Sequence, residues 1–209
     1  MQTFRYQMAH ATQHNLLHEI IDVKSAYLEA KMKMPVYITI PGHPAPPGQA
    51  ARLITSLYGT KQAGHNWHHH IIPLLLKWGF KQSSADPCNF RHETSTNDYA
   101  VICLFVDDFS ITSTRLSTKS RDNFFNKLTT AFKTSKADDN NVYIGIRCRQ
   151  LGEHLRFLDQ ERYVIDMLHM YGFTSLRPAS TPPSGTILTK EQCPVEQSEK
   201  AAMAQVPYR

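Results

Sequence analysis

The chain predicts an α+β fold in which helices lie against one face of an antiparallel sheet. Two kinds of pattern carry that expectation. An apolar, β-branched and aromatic run from Tyr99 to Thr112 is interrupted by Asp107-Asp108, the pattern of a hairpin with a two-aspartate turn. Elsewhere, three stretches place apolar side chains at helical spacing. Between Gln62 and Trp78 the stripe is Trp67, Ile71, Leu74, Leu75 and Trp78, and Pro73 falls inside it, where a missing amide donor favours a kink. Phe124, Phe125, Leu128 and Phe132 form the second stripe. The third comprises Val164, Met167, Leu168 and Tyr171 and ends at Gly172, a residue suited to a helix C-cap. Each stripe reads as core packing.

Composition bounds the class of protein. With 209 residues and 41% hydrophobic content, the chain can bury one sizeable core and is neither disordered nor membranous. No apolar run approaches the roughly 20 residues that cross a bilayer, and the polar, His-containing N-terminus lacks a signal-peptide core. An intracellular, cytoplasmic location without a membrane partner is therefore expected. Cys88, Cys103, Cys148 and Cys193 show no paired metal spacing and read as reduced thiols. The formal charge of +5 and a pI near 9.0 favour a polyanionic partner, because neutralising phosphates releases counterions. Pro41 to Gly48 is a turn-rich loop, and Thr174 to Lys190 is punctuated by Pro and Ser; neither reads as a domain boundary. From Glu191 onward the chain is polar and aperiodic, and no internal repeat is present.

The carboxylates are harder to explain as packing. Asp107 and Asp108 stand at the hairpin tip, and Asp22 follows the strand-like pair Ile20-Ile21. Asp favours turns for local reasons, so the pair alone is a common hairpin feature. Carboxylates converging from different strands, however, are what two-metal phosphoryl transfer needs, with cations about 3.5–4 Å apart, and Asp22 with Asp107 and Asp108 supplies them. Magnesium prefers such hard oxygen ligands and keeps waters and substrate phosphates in its shell. Within the run His65, His68, His69 and His70, positions three and four apart lie on one helical face, but no second His/Cys cluster completes a zinc site, so they read as a solvent-facing patch.

In order along the chain, these residues resemble the reverse transcriptase domain of copia-type (Ty1/copia) retrotransposon polyproteins. Asp22-Val-Lys-Ser-Ala-Tyr27-Leu is similar to the first catalytic block, and Ser56-Leu-Tyr-Gly-Thr-Lys-Gln62-Ala to the second. Phe105-Val-Asp-Asp108 resembles the Tyr/Phe-Val-Asp-Asp box, and Val142-Tyr-Ile-Gly145-Ile the primer-grip segment. The likeness continues through Gln160-Glu-Arg-Tyr163-Val-Ile-Asp-Met-Leu168 and Pro178-Ala-Ser-Thr-Pro182. Several ordered motifs are specific where any one would be weak.

The resemblance implies a polymerase palm, an antiparallel sheet with helices on one face, carrying a partial thumb and largely lacking fingers. Residues 1–150 would be the palm with a remnant of the fingers, and 151–209 the start of the thumb and connection. Val206-Pro-Tyr-Arg209 would lead toward a ribonuclease H domain. The implied activity is RNA-directed DNA synthesis on an RNA or DNA template-primer from deoxynucleoside triphosphates. It would use two Mg2+ ions, with Mn2+ a possible substitute. Asp22, Asp107 and Asp108 are the implied catalytic carboxylates, joined as metal ligands by the Val23 carbonyl. Tyr27 would lie beneath the incoming sugar and exclude a 2′-hydroxyl, Gln62 would bind the nucleotide, and Ile144 and Gly145 would belong to the primer grip. Lys133 or Lys136 could supply a general acid, but a solvated lysine at a helix end is the better account of either, and neither is counted among the catalytic residues. Integrase and ribonuclease H regions of a parent polyprotein are the implied protein partners, with virus-like particles the setting in relatives. The alternative is a catalytically inactive nucleic-acid-binding remnant of such an element.

Overall fold

The structure, a computed structural model, describes residues 2–43, 46, 48–95, 97–115, 119–136, 142–173, 175, 177 and 189–204. It divides the chain into two units, Met1–Asp159 and Gln160–Arg209. In chain order the first unit comprises α1 (Gln2–Gln13), β1 (Leu17–Val23), α2 (Ala26–Glu29), β2 (Tyr37–Ile38), β3 (Ala51–Arg52), α3 (Ala63–Lys77) and β4 (Lys81–Gln82). It continues with β5 (Asn89–Ser95), β6 (Asp98–Phe105), β7 (Asp108–Ser113), α4 (Lys119–Ala131), β8 (Thr134–Lys136), β9 (Val142–Tyr143), β10 (Ile146–Gly152) and β11 (Leu155–Asp159). The main sheet has the order β4-β5-β6-β7-β1-β8, and its neighbouring strands pair antiparallel. A three-stranded sheet, β11-β10-β9, and the small pair β2-β3 complete the unit.

Alternation along the strands assigns side chains to two faces. Ile21 and Val23 of β1, Ile102 and Leu104 of β6, and Phe109 and Ile111 of β7 pack on the first face. Against them lie Trp67, Ile71 and Leu75 of α3, Phe124 and Leu128 of α4, and Phe132, so two of the helical stripes are core as their spacing suggests. Pro73 does not interrupt α3. It sits on the exposed side of the helix, where the carbonyl left without its donor can be hydrated.

The second face is not open, which corrects the expectation of helices on one face only. Phe4 and Met8 of α1 form a second core with Ile20, Cys103, Tyr143, Ile146 and Cys148. Helix α1 escapes the sequence pattern because its buried apolar residues are only Phe4, Met8 and Ala11 on an otherwise polar segment. The hairpin turn also differs from the two-aspartate expectation. Val106 and Asp107 form the turn, while Asp108 already belongs to β7, paired with Phe105.

In the second unit, α5 (Glu161–Met170) is followed by a 3-10 turn at Lys190–Gln192 and by α6 (Gln197–Met203). Gly172 has φ +71°, and the Phe173 amide donates to the Leu168 carbonyl at 2.7 Å, so this glycine ends α5 in the left-handed conformation its position suggests. The stripe of Val164, Met167, Leu168 and Tyr171 is exposed. Pro178 to Pro182, Val206 to Arg209, most of Thr174 to Lys190 and parts of Pro41 to Gly48 lie outside the described residues. Cys88, Cys103, Cys148 and Cys193 are free thiols. Among the described residues no helix is long and apolar enough to cross a membrane.

One polar seam crosses the second core. Gln7 is buried, and its amide donates to the carbonyls of Val101 at 3.0 Å and Ser110 at 3.1 Å while its oxygen accepts from Ser110 Oγ at 2.9 Å. His18 lies 3.0 Å from the same hydroxyl, and burial, aided by Arg156, pushes its imidazole down to about 3. The seam is therefore neutral and depends on Gln7 to satisfy Ser110. Replacing Gln7 with Leu leaves buried polar groups unmatched and is expected to cost about 1–3 kcal/mol in urea unfolding. A change below about 0.5 kcal/mol would show that the seam does not hold α1 to the sheet.

Candidate active site

Sheet register, rather than sequence proximity, assembles the carboxylates. Asp22 near the end of β1 stands directly opposite Asp108 at the start of β7, and on its other side Asp22 is opposite Ser135 of β8. Asp107 immediately precedes Asp108, and its backbone carbonyl accepts the amide of Val23 at 2.9 Å. Asp22 and Asp108, from two strands, are thereby fixed at one end of the sheet on the face that carries α1, with Asp107 beside them in the turn.

Two like charges directly opposite across strands repel. Burial pushes the carboxyl of Asp108 up to about 6, and the neighbouring Asp107 and Asp22 add to that rise. The other two turn to hydroxyl donors. Asp22 Oδ2 accepts from Ser135 Oγ at 3.1 Å, and Asp107 Oδ2 accepts from the Tyr58 phenol at 3.2 Å. Burial, with Asp107 beside it, holds the Tyr58 phenol above its usual range. Among the described residues no three His, Cys, Asp or Glu side chains are gathered closely enough to hold a metal ion. The donor set is nevertheless all hard oxygen and carries uncompensated like charge, which suits a small divalent cation.

The turn that presents Asp107 is backbone-strained. Val106 has φ +54°, a conformation that costs a β-branched residue on the order of 1–3 kcal/mol. It is held from behind: Trp67 Nε1 donates to the Val106 carbonyl, and Val106 packs against the first core. Ser25, between Asp22 and Tyr27, also has positive φ, at +57°. So does Ile144, at +51° beside Gly145 at +73°, the two-residue turn that joins β9 to β10. Open space surrounds Gly145 where a Cβ would project, so it is the left-handed backbone that calls for glycine there.

The other expected residues surround this end of the sheet. Tyr27, in α2, is half-buried and packs against the first core, with its ring 4.4 Å from the ring of Tyr58. Gly64, in the first turn of α3, lies against the Tyr27 hydroxyl. Gln62 caps α3, its carbonyl accepting the Asn66 amide at 2.9 Å. Ile144 shares with Phe105 a cavity of about 190 Å3 that also includes Phe4 and Tyr143. Lys133 accepts the Lys24 amide at its carbonyl, which ties the segment before β8 to the segment after β1. The histidine patch sits farther along α3, where His65 and His69 are exposed with rings 4.0 Å apart. Tyr58 and Ser135 are the residues that sequence reasoning missed. The signal for Tyr58 was its place inside the motif Ser56 to Gln62; Ser135 has no local signal, being 113 residues from the acid it serves.

The raised carboxyl of Asp108 gives a signed expectation. Its unfolded form ionises near 3.8 and its folded form near 6, so stability falls as pH rises through that window and stays lower above it. In metal-free buffer, Asp108→Asn is expected to stabilise the chain by on the order of 1–2 kcal/mol at pH 7 and negligibly at pH 4. Thermal denaturation at the two pH values measures this; an equal shift at both, or a loss at pH 7, contradicts a carboxyl raised by burial and by its acidic neighbours.

Residues 1–184 match the family model for reverse transcriptase (RNA-dependent DNA polymerase). Over its whole length the chain is similar to the retrovirus-related Pol polyprotein from transposon TNT 1-94 of Nicotiana tabacum, at 27% identity over 213 residues. Over 102 residues, 48% of the chain, it is 38% identical to the transposon Ty1-BL Gag-Pol polyprotein of Saccharomyces cerevisiae, and equally to the Ty1-MR1 polyprotein of that yeast. The matched regions are 16% of the tobacco polyprotein and 6% of each yeast one. The chain belongs to the reverse transcriptase (RNA-dependent DNA polymerase) family, as a domain of the Ty1/copia type.

Proposed function

We propose that the chain carries out templated nucleotidyl transfer, in which a primer 3′-hydroxyl attacks the α-phosphate of a deoxynucleoside triphosphate and pyrophosphate leaves. The observation that carries this reading is the pairing of Asp22 with Asp108 beside Asp107. Asp22 and Asp107, with the Val23 carbonyl, would hold two magnesium ions, or manganese in their place, which supply charge stabilisation at the attacking and leaving oxygens. Asp108 sets the field around them and helps to hold the first ion. Tyr27 forms the floor under the incoming sugar and discriminates against a 2′-hydroxyl by clash. Gln62 contributes to the nucleotide site, and Ile144 with Gly145 steadies the primer terminus.

In this reading residues 1–150 act as palm with a remnant of fingers, and 151–209 begin the thumb and connection. Template-primer and deoxynucleoside triphosphates are the substrates, in an intracellular setting. Integrase and ribonuclease H regions of a parent polyprotein are the proposed protein partners.

The test is incorporation of deoxythymidine triphosphate on a primed polyadenylate template with magnesium. Wild-type extension is expected to fall by about 100-fold or more in Asp107→Asn, since the substitution removes a metal ligand. No extension by either protein would favour a nucleic-acid-binding domain without polymerase activity.

A further inference from the structure

We propose that Tyr58 is a positioning residue that links the aromatic floor under the incoming sugar to the carboxylate of Asp107. The inference rests on the polymerase reading given above. One face of the observation is a hydrogen bond, Tyr58 hydroxyl to Asp107 Oδ2 at 3.2 Å. The other is a ring contact, with the centroids of Tyr58 and Tyr27 4.4 Å apart and the rings inclined by 36°. Core burial does not account for either, because Tyr58 is 49% exposed.

The segment that carries Tyr58 is pinned. Ser56 is fully buried, its amide donates to the Ala30 carbonyl at 2.8 Å, and its hydroxyl accepts from Asn66 of α3 at 3.0 Å. Thr60 closes the following turn through its hydroxyl and its amide, both bonded to the Leu57 carbonyl. Gly59, at φ +90°, lets the chain reverse there. A surface tyrosine held this firmly fixes whatever it touches.

Its two functional parts have different consequences. The hydroxyl fills one lone pair of Asp107 and restricts the carboxylate's rotation, leaving its other oxygen positions for a cation. Partners of this kind typically change metal affinity 10–100-fold when removed. The ring braces Tyr27, whose position decides how closely a sugar can approach. Tyr58 therefore makes cation binding and sugar selection depend on one side chain.

Two variants separate these parts. Tyr58→Phe keeps the ring and removes the hydroxyl, whereas Tyr58→Leu removes both; circular dichroism verifies that each is folded. Binding of Mn2+ is read by electron paramagnetic resonance without nucleic acid or nucleotide, and sugar selection by the ratio of deoxythymidine to uridine triphosphate incorporated. Mn2+ affinity is expected to fall about tenfold in both variants. The incorporation ratio is expected to hold in Tyr58→Phe and to fall about tenfold in Tyr58→Leu. Mn2+ affinity within twofold of wild type in Tyr58→Phe, or an unchanged ratio in Tyr58→Leu, overturns the proposal. Asp107→Asn distinguishes the two levels of failure. If it abolishes Mn2+ binding and extension while the Tyr58 variants match wild type, Tyr58 alone is misassigned. If it leaves Mn2+ binding intact, the polymerase reading falls and the proposal with it.

Discussion

Antiparallel pairing of β1 with β7 puts Asp22 across from Asp108, and the site depends on that register. A slip of one residue would turn Asp22 toward the face packed by Trp67 and Phe109, and a buried unpaired carboxylate there would cost far more than the pairing gains. The hydrophobic alternation of Ile20, Ile21 and Val23 therefore does two things at once. It fills both cores, and it leaves Asp22 no choice of partner across the strand. Repulsion among the acids is a consequence of this packing, carried by the fold because the cores outweigh it.

A second constraint follows from where the turn lies. For Asp108 to pair with both Phe105 and Asp22 it must belong to β7, so the reversal falls on Val106 and Asp107. Val106 is a poor residue for a left-handed position, and the Trp67 indole at its carbonyl is the compensation. Helix α3 thus acts twice, as a core element through Ile71 and Leu75 and as the prop of the strained turn through Trp67. Three of the four non-glycine residues with positive φ among those described, Ser25, Val106 and Ile144, lie in segments that bear site residues, as is common where backbone precision matters; the fourth, Asn15, is of a type that tolerates the left-handed region.

Much of this was legible in the amino-acid sequence because it is periodic or local. The stripes of α3 and α4, the Tyr99 to Thr112 hairpin and the Gly172 cap each declare themselves within a short stretch of chain. Helix α1 did not, since three apolar side chains on an otherwise polar segment give a weak period, and with it went the second layer of the sheet. Tyr58 and Ser135 were hidden for a different reason. Their partners lie 49 and 113 residues away, and a hydrogen bond between distant side chains leaves no trace in spacing. Conversely, the stripe of α5 was as clear as the others, yet its side chains are exposed, because amphipathic spacing records what a helix can cover and not what covers it.

In the proposed reading Asp22, Asp107 and Asp108 act as a single cation-binding group. Anomalous diffraction from crystals of the chain grown with manganese measures this most directly. An anomalous peak is expected at coordination distance, about 2.0–2.4 Å, from oxygens of both Asp22 and Asp107. Manganese bound elsewhere, with these carboxylates still turned to Tyr58 and Ser135 alone, would contradict it.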